Sequence, residues 1–210
     1  MVPRSARVAP WLAALCLAAS PVHAQSLTAE QLEALVDERV AAQNPFEELL
    51  NDPDPARSLA AMEIMLESGE ASLVRMALEF GLLSTDPTVK RTALESYLRS
   101  KPVLSFRFDG SEIESSWFDS QMKGANATMT TERIGYWTMP VGEYDAENLC
   151  YKHTTHDTCF ITVSPDGLLW RTTNGRVSGR FTIGEGGFLE GSTMLQNVNQ
   201  PVPTTAQLLD

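Results

Sequence analysis

Two hydrophobic periodicities divide the chain near Pro102. Between Ser26 and that point apolar residues recur at three- and four-residue intervals, as amphipathic helices require. Beyond it they alternate in short runs bounded by turn residues, as antiparallel strands require. In the first pattern, Thr28 and Gln31 have the spacing of a capping box, with Leu27 and Leu32 at the staple positions. Leu32, Leu35, Val36 and Val40 then make one apolar stripe, which Asn44-Pro45 is expected to end.

Asp54-Pro55 and Asp86-Pro87 each place a capping carboxylate before a proline at the first helical position, where its missing N–H is harmless. The first of these helices carries Leu59, Met62, Met65 and Leu66 and stops at Ser68-Gly69. A second, with Leu73, Val74, Ala77, Leu78 and Leu82, is expected over residues 70–83. The third carries Val89, Ala93, Leu94, Tyr97 and Leu98 and ends before Lys101-Pro102. Acids such as Glu30, Glu33, Asp37 and Glu38 occupy the helix faces, as a solvated surface or as an acidic docking face.

The run Asp86-Pro87-Thr88-Val89-Lys90-Arg91-Thr92-Ala93-Leu94 resembles the start of a HEAT-type helical repeat. Asp54-Pro55-Ala56-Arg57, followed by Ala60 and Ala61, matches it one residue out of step. The resemblance covers about residues 52–100 and amounts to a helical hairpin plus the first helix of another. It implies a short helical cap rather than an array, which needs at least three repeats. Proteins of this type mostly hold partner proteins, so the resemblance implies a protein-binding role.

In the second pattern, residues 104–108 alternate up to Asp109-Gly110, and residues 127–141 hold Ile134, Tyr136, Trp137 and Met139. Three hairpins follow as a β-meander. The first is expected to turn near Thr154-Thr155, which would set Cys150 opposite Cys159. The second turns at Ser164-Pro165-Asp166-Gly167 and the third at Asn174-Gly175. That last turn predicts that Thr172 faces Val177, Trp170 faces Gly179 and Leu168 faces Phe181, all on the core side. Trp170 would then cover the backbone that Gly179 leaves bare. The tail, residues 196–210, is expected to be extended or loosely held.

The fold class expected is therefore α+β. An N-terminal antiparallel helical segment (residues 26–101) precedes an antiparallel β-meander or sandwich domain (residues 103–195) of roughly seven strands with one disulfide, Cys150–Cys159.

Charge and address narrow the function. Lys plus Arg number 16 against 27 Asp plus Glu, a net charge of −11, which disfavours nucleic acid and anionic lipid as partners. Arg4 and Arg7, the apolar run over residues 8–19 and Val22-His23-Ala24 read as a signal peptide cleaved after Ala24. Its removal takes two bases and no acid, so the mature charge is −13, and it leaves Cys150 and Cys159 as a pair. The expected location is periplasmic or secreted, with no membrane span after cleavage.

The wet face of the third hairpin gathers Arg171, Arg176 and Arg180, with Thr173 and Ser178 between them. Three guanidinium forks there would suit a carboxylate, a phosphate or an acidic partner segment. The competing reading pairs Arg180 with Glu190 across the next hairpin, closed at Gly184-Glu185-Gly186.

Catalytic patterns are sparse. His153 and His156 flank a turn beside Asp157, too few ligands for a rigid metal site. Glu112/Glu114 and Glu143/Asp145 are carboxylate pairs of the kind an acid–base mechanism uses, at a spacing common in acid-rich sequence. The consecutive aromatics Trp117-Phe118 and Tyr136-Trp137 read as burial on both faces of a sandwich, or as a platform for sugar rings or a peptide. The function expected is non-catalytic binding of an envelope or secreted protein partner or an anionic ligand, through the helical face or the arginine face, without metal or cofactor. The alternative is an envelope-polysaccharide-binding or glycan-active protein using exposed aromatics and paired carboxylates.

Overall fold

The computed structural model describes residues 27–155, 157–172 and 175–209. The expected signal peptide, residues 1–24, lies outside the described residues, as do His156, Thr173 and Asn174. Contacts group the chain into two units, Met1–Ala42 and Gln43–Asp210.

In the first unit the described residues begin α1 (Ala29–Leu50). The capping box is formed: the Thr28 N–H donates to Gln31 Oε1 at 3.0 Å and the Gln31 N–H to Thr28 Oγ1 at 3.3 Å. Leu32, Leu35, Val36 and Val40 are exposed.

The second unit takes up the rest of α1. Pro45 does not end the helix as the sequence suggested; α1 runs through it to Leu50. A proline there removes one backbone bond at a cost of about 3 kcal/mol. Burial of Leu50 and part-burial of Phe46 against the core offset that loss.

Three antiparallel helices follow: α2 (Pro55–Glu67), α3 (Ala71–Leu83) and α4 (Pro87–Arg99). Both Asp-Pro starts work as expected. Asp54 Oδ1 accepts the Ala56 N–H at 2.9 Å, and Asp86 Oδ1 accepts the Thr88 N–H at 2.7 Å. Gly69, at φ 71°, closes the end of α2.

Among the described residues the β half has nine strands. They are β1 (Val103–Asp109), β2 (Thr128–Met129), β3 (Ile134–Asp145), β4 (Cys150–His153), β5 (Cys159–Ser164), β6 (Gly167–Arg171), β7 (Ser178–Ile183), β8 (Phe188–Met194) and β9 (Val202–Gln207). The expected antiparallel meander is present, but it does not split into two sheets. β1 pairs with both β9 and β3, so eight strands close as an antiparallel barrel, and β2 adds two residues beside β3. Closure removes the exposed edges a sandwich would leave. The residues expected to be a loose tail supply the closing strand, because Val202, Thr204 and Ala206 alternate inward and are buried.

Odd and even residues divide inside from outside. Leu104, Phe106 and Phe108 of β1 point inward with Leu168 and Trp170 of β6 and Phe181 of β7. Phe106 stacks on Phe181 at 5.4 Å and on Trp170 at 5.8 Å; Trp170 also meets Trp137 at 5.5 Å and Phe160 at 5.7 Å. Eight strands leave an interior just wide enough for side chains, and these aromatic rings share it with aliphatic ones such as Leu104, Leu168 and Leu189. Phe160 joins them through a bulge: the register shifts by one residue between Tyr151↔Ile161 and Lys152↔Cys159, so Phe160 and Ile161 are both buried.

Strands alternate direction, so the loops sort to two ends. The β3–β4, β5–β6 and β7–β8 connections lie at one end with α4, which leads directly into β1. There Lys90 Nζ reaches the Ile183 carbonyl oxygen at 3.5 Å and the Tyr151 hydroxyl donates to the Glu95 carbonyl at 2.9 Å. One core cluster runs from Leu50 to Leu208, so the helices α2–α4 and the barrel form one unit rather than separate domains divided at Pro102.

Candidate functional site

The other end of the barrel is covered by a helix that the sequence pattern placed among strands. Trp117–Gly124 forms α5, with Asp119 in its first turn and Lys123 in its last, charges that suit the helix dipole. Phe118 and Met122, four residues apart, face down together and are buried. Two glycines receive them. A Cβ on Gly110 would stand 2.1 Å from the Phe118 ring, and one on Gly135 would stand 2.7 Å from Met122 Sδ.

Arg133 fastens the helix. Its φ is 62°, its guanidinium donates to the carbonyl oxygens of Ile113 and, at 3.2 Å, Ser115, and it forms an ion pair with Asp119 at 3.1 Å. The same guanidinium lies 5.4 Å from the Phe118 ring centroid.

Between α5 and the barrel mouth lies a cavity of about 270 Å³. Phe108, Trp137, Trp170, Val177 and Leu195 form its wall, and Met122, Gly124 and Ala125 its cover. Gln121 and Thr172 add an amide and a hydroxyl; among the described residues no ionisable side chain lines it. An apolar cavity of roughly 150 Å³ accepts one benzene ring, so this one has room for a molecule of about two rings. Trp170 is 1% exposed, and among the described residues its Nε1 has no hydrogen-bond partner. Thr193 Oγ1 is likewise buried and unpartnered, and the register sets the two on either side of Gly179.

The residues singled out from sequence are distributed elsewhere. The predicted third-hairpin register holds: Trp170↔Gly179 and Leu168↔Phe181 pair directly, and the Thr172 N–H donates to the Val177 carbonyl at 2.9 Å. Arg171, opposite Ser178, and Arg180, opposite Leu169, share the outer face as diagonal neighbours; Arg176 is exposed in the hairpin loop. The expected pairing of Arg180 with Glu190 is corrected by the register. The β7–β8 loop spans residues 184–187, with Gly186 and Gly187 both at positive φ, so Arg180 faces Ser192 and Glu190 faces Thr182. The Glu190 carboxylate instead lies against Gly184.

The Cys150–Cys159 disulfide is formed, with a Cα–Cα distance of 5.6 Å. The cysteines are not directly opposite, as the expected turn implied. The loop extends to Thr158, whose carbonyl accepts the His153 N–H, and Cys159 faces Lys152.

Each aromatic pair splits: Phe118 and Trp137 turn inward while Trp117 and Tyr136 are exposed. The carboxylate pairs do not form an acid–base couple. Glu143 is bonded to Lys101, and Glu112 and Glu114 are exposed. Asp145 is held ionised, its pKa lowered to about 2 chiefly by the Asn148 side chain and backbone N–H, with Lys152 adding to the effect. His153 Nδ1 accepts the Thr155 N–H at 3.0 Å, and among the described residues no group of three or more metal-ligating side chains converges.

Sequence reasoning missed the cavity because α5 is only eight residues long and Ser116 makes no side-chain cap. The available signal was Phe118 and Met122 at helical spacing between two glycines. No protein family, curated protein or solved structure matches the chain.

Proposed function

We propose that this chain is an exported, non-catalytic binding protein that takes a small apolar ligand in the cavity beneath α5. The lining carries the reading: a concave, largely preformed site walled by aromatic and aliphatic side chains, with two uncharged polar groups and nothing that titrates among the described residues. Acid–base chemistry needs a positioned proton donor or acceptor, and this site offers none. The disulfide supports an oxidising location, periplasmic or extracellular. Among the described residues no helix is long and apolar enough to cross a membrane.

Titration calorimetry with naphthalene tests the reading. Binding with a negative heat-capacity change, abolished in Ala125→Phe, is expected. No heat at any temperature, or binding unaffected by the filled cavity, would overturn it.

A second reading keeps the arginine face as a contact for an acidic partner segment. It is favoured by Arg171 and Arg180, exposed together on an acidic chain with no ion pair to either among the described residues.

A further inference from the structure

Two surfaces away from the cavity are opposite in charge, and each exposes apolar side chains. The first is α1 over residues 29–42. Leu32, Val36 and Val40 recur at four-residue spacing with Leu35 beside them, and each is half or more exposed. Glu30, Glu33 and Asp37 recur at intervals of three and four, so an acid row runs beside the apolar one. The segment holds four carboxylates against one guanidinium, Arg39. A helix draws most of its stability from a covered apolar face, and a stretch of this length is marginal alone in water.

The second surface is the outer face of β6, β7 and β8. Arg171 stands opposite Ser178, which stands opposite Met194; Arg180 stands between Leu169 and Ser192. Both arginines are exposed, Met194 is 45% exposed and Leu169 is partly so. Glu190, diagonal to Arg180 in the register, lies instead against Gly184. The spacings of the two surfaces agree. Glu33 and Asp37 are one turn apart, about 6 Å between Cβ atoms, and diagonal strand neighbours such as Arg171 and Arg180 are about 7 Å apart. A second α1 would be a poorer cover, since it sets acid against acid with one arginine on each helix.

We infer that α1 of a second copy of this chain docks on the arginine face, with Leu32, Val36 and Val40 against Met194 and Leu169, and Glu33 and Asp37 against Arg171 and Arg180. The inference rests on the arginine-face reading above and names the acidic segment that the face takes. A two-fold exchange, in which each copy gives its helix and receives the other's, closes the assembly as a dimer. It also makes the contact twice, which doubles the buried area towards the roughly 800 Å² per partner of a stable interface.

Sedimentation of the full mature chain tests this. The parent should form a dimer whose dissociation constant rises about tenfold or more in Arg171→Glu with Arg180→Glu, and likewise in Leu32→Ser with Val36→Ser. Glu33→Lys with Asp37→Lys should also be monomeric, because its helix and its face are then both basic. Mixed with the arginine-reversed chain it should form a heterodimer, each helix again meeting a face of opposite charge. All these changes face solvent, so circular dichroism should show every variant folded. A parent that stays monomeric at millimolar concentration, or a mixture that stays monomeric, would overturn the docking. So would a dimer indifferent to both arginines, which would place α1 on α1. In each of those cases, polyglutamate association that depends on Arg171 and Arg180 would leave the arginine-face reading standing, and its absence would remove both.

Discussion

Gly179 lies directly beneath the indole of Trp170: the two pair across β6 and β7, and a Cβ on the glycine would fall 2.2 Å from Nε1. The side chain that fills the barrel therefore depends on one its neighbour lacks. Gly179→Ala should displace the indole and destabilise the fold by about 1–3 kcal/mol, the usual cost of overpacking. Denaturant unfolding should show a lower midpoint with an unchanged slope, with an altered near-ultraviolet tryptophan signal. A midpoint equal to the parent's would mean that the ring is not seated there.

Arg133 holds α5 over the barrel mouth through the carbonyls of Ile113 and Ser115 and the carboxylate of Asp119. Charge-assisted bonds of this kind are worth about 1.5–3 kcal/mol where desolvated, and less at this partly exposed position. Arg133→Ala should raise hydrogen exchange across α5 by an order of magnitude or more while the β7 and β8 amides stay protected. Arg133→Lys should restore little, since an ammonium cannot reach several acceptors in one plane. Uniform loss of protection through the barrel would show that α5 is not a separately opening element.

What the sequence disclosed follows from local chemistry. Asp54, Asp86, Thr28 and the Trp170–Gly179 register are set by neighbours a few residues away, and each stands as the pattern implied. Closure of the barrel depends on β1 meeting β9, about a hundred residues distant, and periodicity alone carries no partner assignment at that range. Pro45 misled because the local penalty was outweighed by the burial of Leu50. Glu190 misled because two consecutive glycines at positive φ lengthened a loop and moved the register by two. The cavity was hidden because it is bounded by α5, β1, β3 and two hairpin ends, which no single window of sequence contains.

The disulfide closes a short loop, a sequence separation of 9. By the loop-entropy relation its reduction should cost about 2–3 kcal/mol. Chemical denaturation of oxidised and reduced protein measures this directly. Two titratable thiols in undenatured protein made in an oxidising compartment would contradict the bond.

Two groups predict opposite limbs of the stability–pH curve. Asp145 falls from 3.8 to about 2 when folded, through Asn148 first, so its contribution is complete above pH 4 and lost as pH falls towards 2. Tyr151 rises from 10.0 to about 12, mainly through burial, so its contribution is complete below pH 10 and lost as pH rises towards 12. Tm measured across both windows should fall at each end. Asp145→Asn should flatten the acid limb, and Tyr151→Phe the alkaline one, with a constant loss of about 1 kcal/mol for the bond to the Glu95 carbonyl. An acid limb unchanged in Asp145→Asn would place the acid-sensitive group elsewhere.

The arginine face separates a ligand-binding barrel from a partner-binding one. Arg171 and Arg180 sit on the outside, while the α5 cavity opens within the barrel mouth, so substitutions at one should leave the other intact. Solvent-facing changes stay within about 0.5 kcal/mol, so Arg171→Ala with Arg180→Ala should shift Tm little and leave naphthalene binding unchanged. If the face meets an acidic segment, the pair of changes should slow association with a polyglutamate peptide and flatten its salt dependence, since exposed charges act mainly through steering. The displaced register adds a discriminating arm. Glu190 faces Thr182 rather than Arg180, so Glu190→Gln should strengthen peptide association modestly by removing a nearby negative charge, without releasing a structural ion pair. A Tm lowered by several degrees in Glu190→Gln would instead show that its carboxylate is structural, against the loop at Gly184. Peptide association indifferent to all three substitutions would leave the cavity as the binding site of this chain.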